Sequence, residues 1–485
     1  MPHQEKYLLA ESFFHKVSRK MAKPSQNKGK IKPISALILL TGSVLYLSLQ
    51  FFYGFDFLAC ESFSSFLQGS GSPTTLTPIM KGLSFAMSRM LEFVIVAFIA
   101  LDPIKIRSIK VLILYMTAEA VTQYLKILYR KPRPYFIFAD IQPLVCNTNY
   151  GNPSGHAVKS AFTFAILYYV YLYCDSAKYT TNIPYENISG TTEEITPLRD
   201  PEKQTEKGCH TELHKLGEES RLLVWLRESN CLKFMLAFLM VVFCVISGIS
   251  RIYLGAHTVG QILAGWSYAC ILFLFFVYVA EMAIDTYLAN LCFKTLSSRN
   301  IQYILRVILP LIIIIIPVAL YEVLRRDGSV IAEQNAWEQA IVEKCGGGEG
   351  IYQKSPLDHC FEELAVPIII EVILFGLLLS PHYRDGYFRD NLQNLKYIQL
   401  IGRVLLYLGI YIGISKLFDL VPKLKTEVAD TYFAFFVKGY IPFVLQGLAI
   451  SLLVPLLFKP LRLLPTQKKQ DYFPSEEQVD EKIIL

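Results

Sequence analysis

Long runs of apolar residues recur along the whole chain, and they constrain its fold more than any other feature. One run contains five consecutive isoleucines, Ile312–Ile316. A stretch of about 20 apolar residues is long enough to cross a lipid bilayer as a helix. Hydrophobic residues make up 53% of the 485 residues and the mean hydropathy is +0.37, which excludes an ordinary soluble protein. The sequence therefore predicts an all-α, polytopic helical bundle embedded in a membrane.

About ten runs are long enough to be spans, and they set the predicted topology. The predicted spans lie at about Ile34–Phe52, Leu83–Leu101, Val111–Leu128, 153–174, Leu232–Ile249, His257–Ala280, Tyr303–Leu324, Leu364–Ser380, Leu400–Ile414 and Tyr432–Phe458. An even number of spans puts both termini on the same side of the membrane. Residues 1–33 form a basic arm, and such segments are retained in the cytosol, so we expect both termini to be cytosolic.

This topology divides the chain into five segments. They are a cytosolic basic arm (1–33), a first span with a lumenal loop (34–82), a central helical core (83–283), C-terminal transmembrane helices (284–458) and a cytosolic tail (459–485). A polar loop at 175–229 interrupts the core on the cytosolic side. We expect the loops at 61–80, 129–152 and 325–363 on the opposite side.

Charge and cysteine content argue against two kinds of partner. The 47 Lys and Arg residues exceed the 41 Asp and Glu residues by +6, and topology explains this distributed excess better than nucleic-acid binding. The ten cysteines show no CxxC pairing of the metal-binding kind, and we expect no metal or other cofactor. Cys345 and Cys360 share the 325–363 loop and could form a disulfide there.

The sequence Asn152-Pro153-Ser154-Gly155-His156-Ala157 leaves a polar loop and opens the fourth predicted span. Pro153 suits the first turn of a helix, where its missing N–H costs nothing. Ser154 and Gly155 then offer N–H groups at a helix N-terminus, which is a natural anion site. His156 can give or take a proton near neutral pH. Ser154 could instead act only as a helix cap.

Two further pieces place cations and a second histidine near this motif. Lys126 and Arg133 flank the end of the third span, and Arg251 and His257 flank the junction of the fifth and sixth spans. In an alternating bundle these positions share one face with His156. That face is the non-cytosolic one, where the positive charges run against the usual topology rule, and anion binding is a reason for them.

The residue types fit phosphoryl transfer. A phosphoryl group in transit carries negative charge on its equatorial oxygens, and catalysis is mostly positioning and charge stabilisation. Lys126, Arg133 and Arg251 can hold those oxygens, with Ser154 and Gly155 as further donors. Two histidines permit one to attack phosphorus and the other to protonate the leaving oxygen.

These three pieces resemble the signature of the type 2 phosphatidic acid phosphatase (PAP2) superfamily. The matching patterns are Lys126-x6-Arg133-Pro134, Pro153-Ser154-Gly155-His156 and Ser250-Arg251-x5-His257. The resemblance implies a PAP2-like phosphatase core, with His257 as nucleophile and His156 as general acid and base. Most members have an acidic residue four positions after the nucleophile to orient it, whereas this chain has Gln261.

Within the superfamily, the chain is most similar to the glucose-6-phosphatase catalytic subunit family. That family also has glutamine at this place, and the segment Trp337…Cys345 and Lys438 look alike. The resemblance implies a glucose-6-phosphatase-like phosphohydrolase of gluconeogenesis, in the endoplasmic reticulum membrane with a lumenal site. A sugar-phosphate transporter would then be a partner. The family has nine spans and a lumenal N-terminus, so the additional first span keeps the site lumenal.

Two other functions stay open from the residues. A lipid phosphate phosphatase of the same superfamily would take its substrate sideways from the bilayer, and Gln261 together with Arg251-Ile-Tyr-Leu argues against it. A non-catalytic phosphate-binding transporter or channel is the other, and retention of both histidines and all three cations argues against it. The acids at Glu92, Glu119 and Glu371 lie within predicted spans and receive no role.

Overall fold

The computed structural model describes residues 33–53, 65–69, 73–86, 91–102, 105–173, 229–281, 283–285, 312, 314–345, 355–370, 372–373, 397–419, 432–433, 435–458 and 460–463. The predicted basic arm (1–33), the polar loop 175–229 and the tail (459–485) lie almost wholly outside these residues. Within the described residues, every regular element is a helix. The all-α prediction is therefore confirmed for this part of the chain.

We number the helices in chain order. They are α1 (Pro33–Tyr53), α2 (Pro73–Phe85), α3 (Leu91–Leu101), α4 (Lys105–Tyr129), α5 (Pro134–Ile137), α6 (Gly155–Tyr168), α7 (Asn230–Tyr253), α8 (Val259–Phe275), α9 (Ile314–Leu324), α10 (Gly328–Cys345), α11 (Pro356–Glu363), α12 (Tyr397–Asp419) and α13 (Phe435–Leu457). A π-helical turn prolongs α6 through Tyr169–Tyr173 and another prolongs α8 through Phe276–Ala280.

Five helical stretches among the described residues are long and apolar enough to cross a membrane. They are Arg107–Ile137, Asn230–Tyr253, Val259–Ala280, Tyr397–Phe418 and Phe435–Leu457. On α7, Phe234, Phe238 and Val241 are exposed, as expected for a surface that faces lipid. The protein is thus a membrane protein, while the count of about ten spans stays a prediction.

Two loops predicted on the non-cytosolic side contain helices instead. The predicted loop at 61–80 contains most of α2, which packs on α7 through a contact of 3.0 Å between Thr77 Oγ1 and the Tyr253 hydroxyl. The predicted loop at 325–363 folds into α10 and α11. Apolar runs alone do not reveal such short helices, because their stability comes from packing.

The core forms around α4, α6 and α8. Their apolar side chains enter one buried cluster, and α6 packs against both α4 and α8. Gly265 permits the close approach of α6 and α8, since a Cβ there would lie 2.8 Å from Ala157 Cβ and 2.9 Å from the Ser154 carbonyl oxygen. The N-terminal ends of α6 and α8, which carry the two predicted catalytic histidines, are thereby held side by side.

A second apolar cluster joins α11 to the end of α4. Phe361 stacks on Tyr321 and on Phe435, with ring centroids 4.3 Å and 4.4 Å apart. The same cluster includes Ile127 of α4 and Tyr150. This packing brings the C-terminal part of the chain to the face where the third span ends.

Candidate active site

The structure brings the three sequence motifs together at one end of α4, α6, α7 and α8. The Ser154 N–H donates to the Gln261 carbonyl oxygen at 3.0 Å, and the Gln261 side-chain amide donates to the Pro132 carbonyl oxygen at 2.8 Å. Arg133 Nη1 donates to the Ala256 carbonyl oxygen at 2.7 Å. Each contact joins residues of different motifs, so the seven predicted site residues share one region.

His257 lies in the short loop between α7 and α8 with only 2% of its surface exposed. Its Nδ1 lies 2.9 Å from the Gly151 carbonyl oxygen and 3.2 Å from Gln261 Oε1. Both neighbours are acceptors, so Nδ1 carries the hydrogen and the neutral ring leaves its lone pair on Nε2. Burial, followed by the positive charges of Arg133, Arg251 and Lys126, holds the pKa of His257 well below its usual range. The imidazole is therefore kept in the neutral form that a nucleophile needs.

Gln261 stands four positions after His257, where most members of the superfamily that this chain resembles have an acidic residue that orients the nucleophile. Its Oε1 accepts from His257 Nδ1, and its side chain closes a capping box with Thr258 at the start of α8. Gly151 makes room for it, because a Cβ there would lie 2.6 Å from Gln261 Nε2. A neutral amide held at both ends thus orients the imidazole where a carboxylate would otherwise stand.

Arg133 is buried and holds the loop that precedes α6. Its Nε donates to the Asn149 carbonyl oxygen at 2.8 Å, and Nη2 donates to Asn149 Oδ1. Nη1 also lies 3.4 Å from His257 Nε2. The sequence predicted a phosphate clamp, and the structure adds that three of the five guanidinium N–H groups are used by the protein itself.

Arg251 and Ser154 present buried polar atoms without a partner among the described residues. Arg251 Nη1 donates to Ser84 Oγ at 2.8 Å, while its Nε has no hydrogen-bond partner. The Ser154 hydroxyl is likewise unpartnered, and it does not cap α6. Unsatisfied buried polar atoms are costly, so two such donors beside a buried histidine are what an anion site requires.

The start of α6 departs from two expectations. The helix begins at Gly155, so Pro153 precedes the first turn instead of forming it. The Ser154 N–H is already bound to Gln261 and is not available to a ligand. A Cβ added at Gly155 would have Thr122 at 3.7 Å, which is an ordinary contact distance. The role of Gly155 as a phosphate donor stays a prediction.

A cavity of about 880 Å³ is lined by two of the predicted site residues, His156 and Arg251. His359 and Glu363 of α11 also line it. Apolar side chains such as Phe93 complete the wall. His156, on the first turn of α6, is half-buried.

Lys126 meets a residue that the sequence did not indicate. Its Nζ lies 3.6 Å from Glu363 Oε2 at the end of α11. Burial alone would raise the pKa of Glu363, but the charge of Lys126 and contacts from His359 and Asn149 hold it well below its usual range. The sequence does contain a signal for the contact between His359 and Glu363. Ser355-Pro356 is typical of a helix start, and a spacing of four residues places His359 and Glu363 on the same side of that helix.

The disulfide expectation is wrong. Cys146 pairs with Cys345, whereas Cys360 is a buried free thiol in the apolar cluster around Phe361. The bond ties the loop before α6 to the end of α10. Lys344 reinforces the tie by donating to the carbonyl oxygens of Phe138 and Ile141. Cys360 was the expected partner because it is close to Cys345 in the sequence. The fold instead brings Cys146, 199 residues away, to Cys345.

The described residues contain no group of three or more His, Cys, Asp or Glu side chains that could hold a metal ion. Glu119, which received no role from the sequence, pairs with Lys159 at 3.0 Å, and the Tyr115 hydroxyl donates to Glu92 at 3.0 Å. Glu371 lies outside the described residues.

Comparison with known proteins agrees with the motifs at the level of the superfamily. Residues 107–285 match the family model of the PAP2 superfamily. No curated protein matches the chain. A solved structure, the crystal structure of the first transmembrane PAP2 type phosphatidylglycerolphosphate phosphatase from Bacillus subtilis, is similar at 19% identity with a TM-score of 0.31; the similarity covers 52% of this chain and 96% of that one. All seven predicted site residues thus lie within a segment, residues 107–285, that matches the PAP2 superfamily.

Proposed function

We propose that this protein is a membrane-bound phosphomonoester hydrolase that works through a phosphohistidine on His257. One observation carries the proposal: Gly151 and Gln261 hold Nδ1 of a buried His257, so that a neutral Nε2 faces the guanidinium of Arg133. A neutral nitrogen beside a cation is suited to attack a phosphorus whose oxygens that cation can bind.

In the first step, His257 Nε2 attacks the phosphorus of the ester. A P–N bond forms while the P–O bond to the leaving group breaks, and His156 donates a proton to the leaving oxygen. Arg251 Nε and Ser154 Oγ, which lack partners among the described residues, offer donors for the phosphoryl oxygens. Lys126 and Gly155 are the remaining members of the proposed clamp.

In the second step, water completes the reaction. His156, now neutral, accepts a proton from the water as it attacks phosphorus, and the P–N bond breaks. Inorganic phosphate leaves, and both histidines regain their starting states. No step in this sequence calls for a cofactor.

We propose glucose-6-phosphate as the substrate. The support is the resemblance around Arg251–Gln261 and a cavity whose wall includes several charged side chains. A sugar site needs polar groups to pair hydroxyls, whereas a lipid site needs an apolar gap between spans. Phe85, Phe93 and Met116 also line the cavity, and they are the observation that favours a lipid phosphomonoester as the second candidate.

We propose that the site faces the lumen of the endoplasmic reticulum, with both termini in the cytosol. The Cys146–Cys345 disulfide lies on the active-site face, and disulfides persist in oxidising compartments. A sugar phosphate made in the cytosol would need to be carried to that face, so a sugar-phosphate transporter is the expected partner.

The first test compares phosphate release by the purified wild type and by His257→Ala. The substrates are glucose-6-phosphate, mannose-6-phosphate, a short-chain phosphatidic acid and an aryl phosphate. We expect glucose-6-phosphate to be preferred and His257→Ala to reduce turnover by at least about 10⁴-fold, since the covalent route is lost. Labelled phosphate should be trapped on the wild type only.

The outcomes separate the alternatives. Preference for phosphatidic acid, still dependent on His257, would keep the mechanism and replace the sugar by a lipid. Phosphohistidine trapped on His257→Ala would remove the nucleophile assignment. No release from any substrate would favour the non-catalytic, phosphate-binding alternative.

A further inference from the structure

A carboxylate stands next to the cation that should bind phosphate. Glu363 Oε2 accepts a hydrogen bond of 2.9 Å from Asn149 Nδ2 and lies 3.6 Å from Lys126 Nζ. Asn149 also binds Arg133 through its carbonyl and amide oxygens. Glu363 is therefore part of the same hydrogen-bonded network as the phosphate-binding residues.

A negative charge in this place opposes phosphate binding, so the presence of Glu363 calls for another role. Like charges repel strongly at short range in a site of low dielectric constant. The position of Glu363 is nevertheless well supported, because the aromatic stack of Phe361 with Tyr321 and Phe435 fixes α11 against the rest of the fold. A carboxylate held this firmly beside an anion site is suited to bind the neutral part of the substrate.

The second oxygen of Glu363, Oε1, has His359 as its neighbour, and both residues line the cavity. Oε1 lies 3.6 Å from His359 Nε2, which is beyond hydrogen-bond distance. The side chains of Glu363 and His359 are 33% and 30% exposed, and both line the cavity. His359 is fixed through Nδ1, which lies 2.8 Å from Thr148 Oγ1. A hydroxyl entering the cavity would find a carboxylate acceptor and an imidazole at this point.

We propose that Glu363, with His359 beside it, forms a hydroxyl-binding subsite that selects phosphomonoesters of polyols over those of lipids. The inference deepens the proposed function and rests on it. A polyol leaving group donates hydrogen bonds to Glu363 Oε1 while its phosphate occupies the neighbouring cationic site. An acylated leaving group offers no donor there and would bury a charged oxygen unpaired, which is costly.

The test is Glu363→Gln, which keeps the shape of the side chain and removes its charge. We expect kcat/KM for glucose-6-phosphate to fall roughly 10- to 100-fold, the usual loss for one hydrogen bond to a charged acceptor. The aryl phosphate, which has no hydroxyl to donate, should change by less than about 3-fold, because its reaction does not use this hydrogen bond. Glu338→Gln on α10, an exposed carboxylate on the same face, is the matched control and should behave as the wild type.

A series of deoxyglucose-6-phosphates identifies the contact. The analogue that lacks the bound hydroxyl should react more slowly with the wild type and lose nothing further with Glu363→Gln. An equal loss on sugar and aryl phosphates would mean that Glu363 only holds Lys126, and it would overturn the proposal, as would no loss at all. If the wild type itself fails to act on sugar phosphates while His257 remains essential for the lipid, the proposed substrate fails instead.

Discussion

At the scale of single residues, the neighbours of His257 keep its imidazole neutral. Three cations act on this histidine, and all of them oppose protonation. Gln261 orients the ring with a neutral oxygen, so it positions Nδ1–H without favouring the imidazolium form. An acidic residue at 261 would orient the ring equally well, but it would also raise the pKa of His257.

Gln261→Glu should therefore move the pH profile. A negative charge near Nδ1 stabilises protonated His257, so the nucleophile is lost at a higher pH than in the wild type. We expect the acid limb of kcat/KM to shift upward by roughly 1 to 3 pH units. The measurement is kcat/KM against pH, with Gln339→Glu on the surface of α10 as the control for an added charge.

Gln261→Ala separates charge from orientation. It removes Oε1 without adding a carboxylate, so kcat should fall while the acid limb stays in place. An unshifted limb in Gln261→Glu, with the fold intact, would contradict the pairing of Gln261 with His257.

At the scale of elements, the site depends on how closely two helices approach. α6 and α8 carry His156 and, one residue before its cap, His257, and the absence of a side chain at Gly265 permits their contact. From the sequence, only the expectation that the two histidine motifs form one site places these helices next to each other. Their separation is decided by packing, which a hydropathy pattern does not contain.

Gly265→Ala should damage both stability and catalysis. The new methyl group would meet Ala157 Cβ at 2.8 Å and backbone atoms of α6, so the helices must move apart. We expect a loss of about 1–3 kcal/mol in the free energy of unfolding, together with a lower kcat. Gly409→Ala on α12 is the matched control, because a Cβ there has no atom within 4 Å. Equal behaviour of the two variants would contradict the close packing of α6 on α8.

At the scale of the whole molecule, the two ends of α4 have different characters. Its first turns hold ion pairs, the buried pair of Arg107 with Asp102 at 2.9 Å and the partly buried pair of Lys110 with Asp285 at 2.6 Å. Its last turn holds Lys126 beside the candidate site. The two ends are roughly 30 Å apart, about the thickness of the hydrocarbon core. We therefore expect the candidate site and these ion pairs to lie at opposite faces of the membrane.

The proposed orientation can be tested by glycosylation. Asn187-Ile188-Ser189 fits the acceptor pattern but belongs to the polar loop that we expect in the cytosol, so it should carry no glycan. The double substitution Glu333→Asn and Asn335→Ser creates an acceptor at exposed positions of α10, on the candidate-site face. We expect a glycan on this variant, seen as a mass shift removed by a glycosidase. A glycan at Asn187 would reverse the topology.

The hydropathy and the motif spacing were enough to predict a helical membrane protein and to mark the residues that resemble the PAP2 signature. Apolar runs and local spacing are properties of neighbouring residues, so they can be read along the chain. The folded chain was needed to show that Gly151 and Gln261 hold His257, that Cys146 pairs with Cys345 and that Glu363 lies beside Lys126. These contacts depend on where packed helices place residues that are mostly more than a hundred positions apart, and local sequence patterns carry no record of that packing.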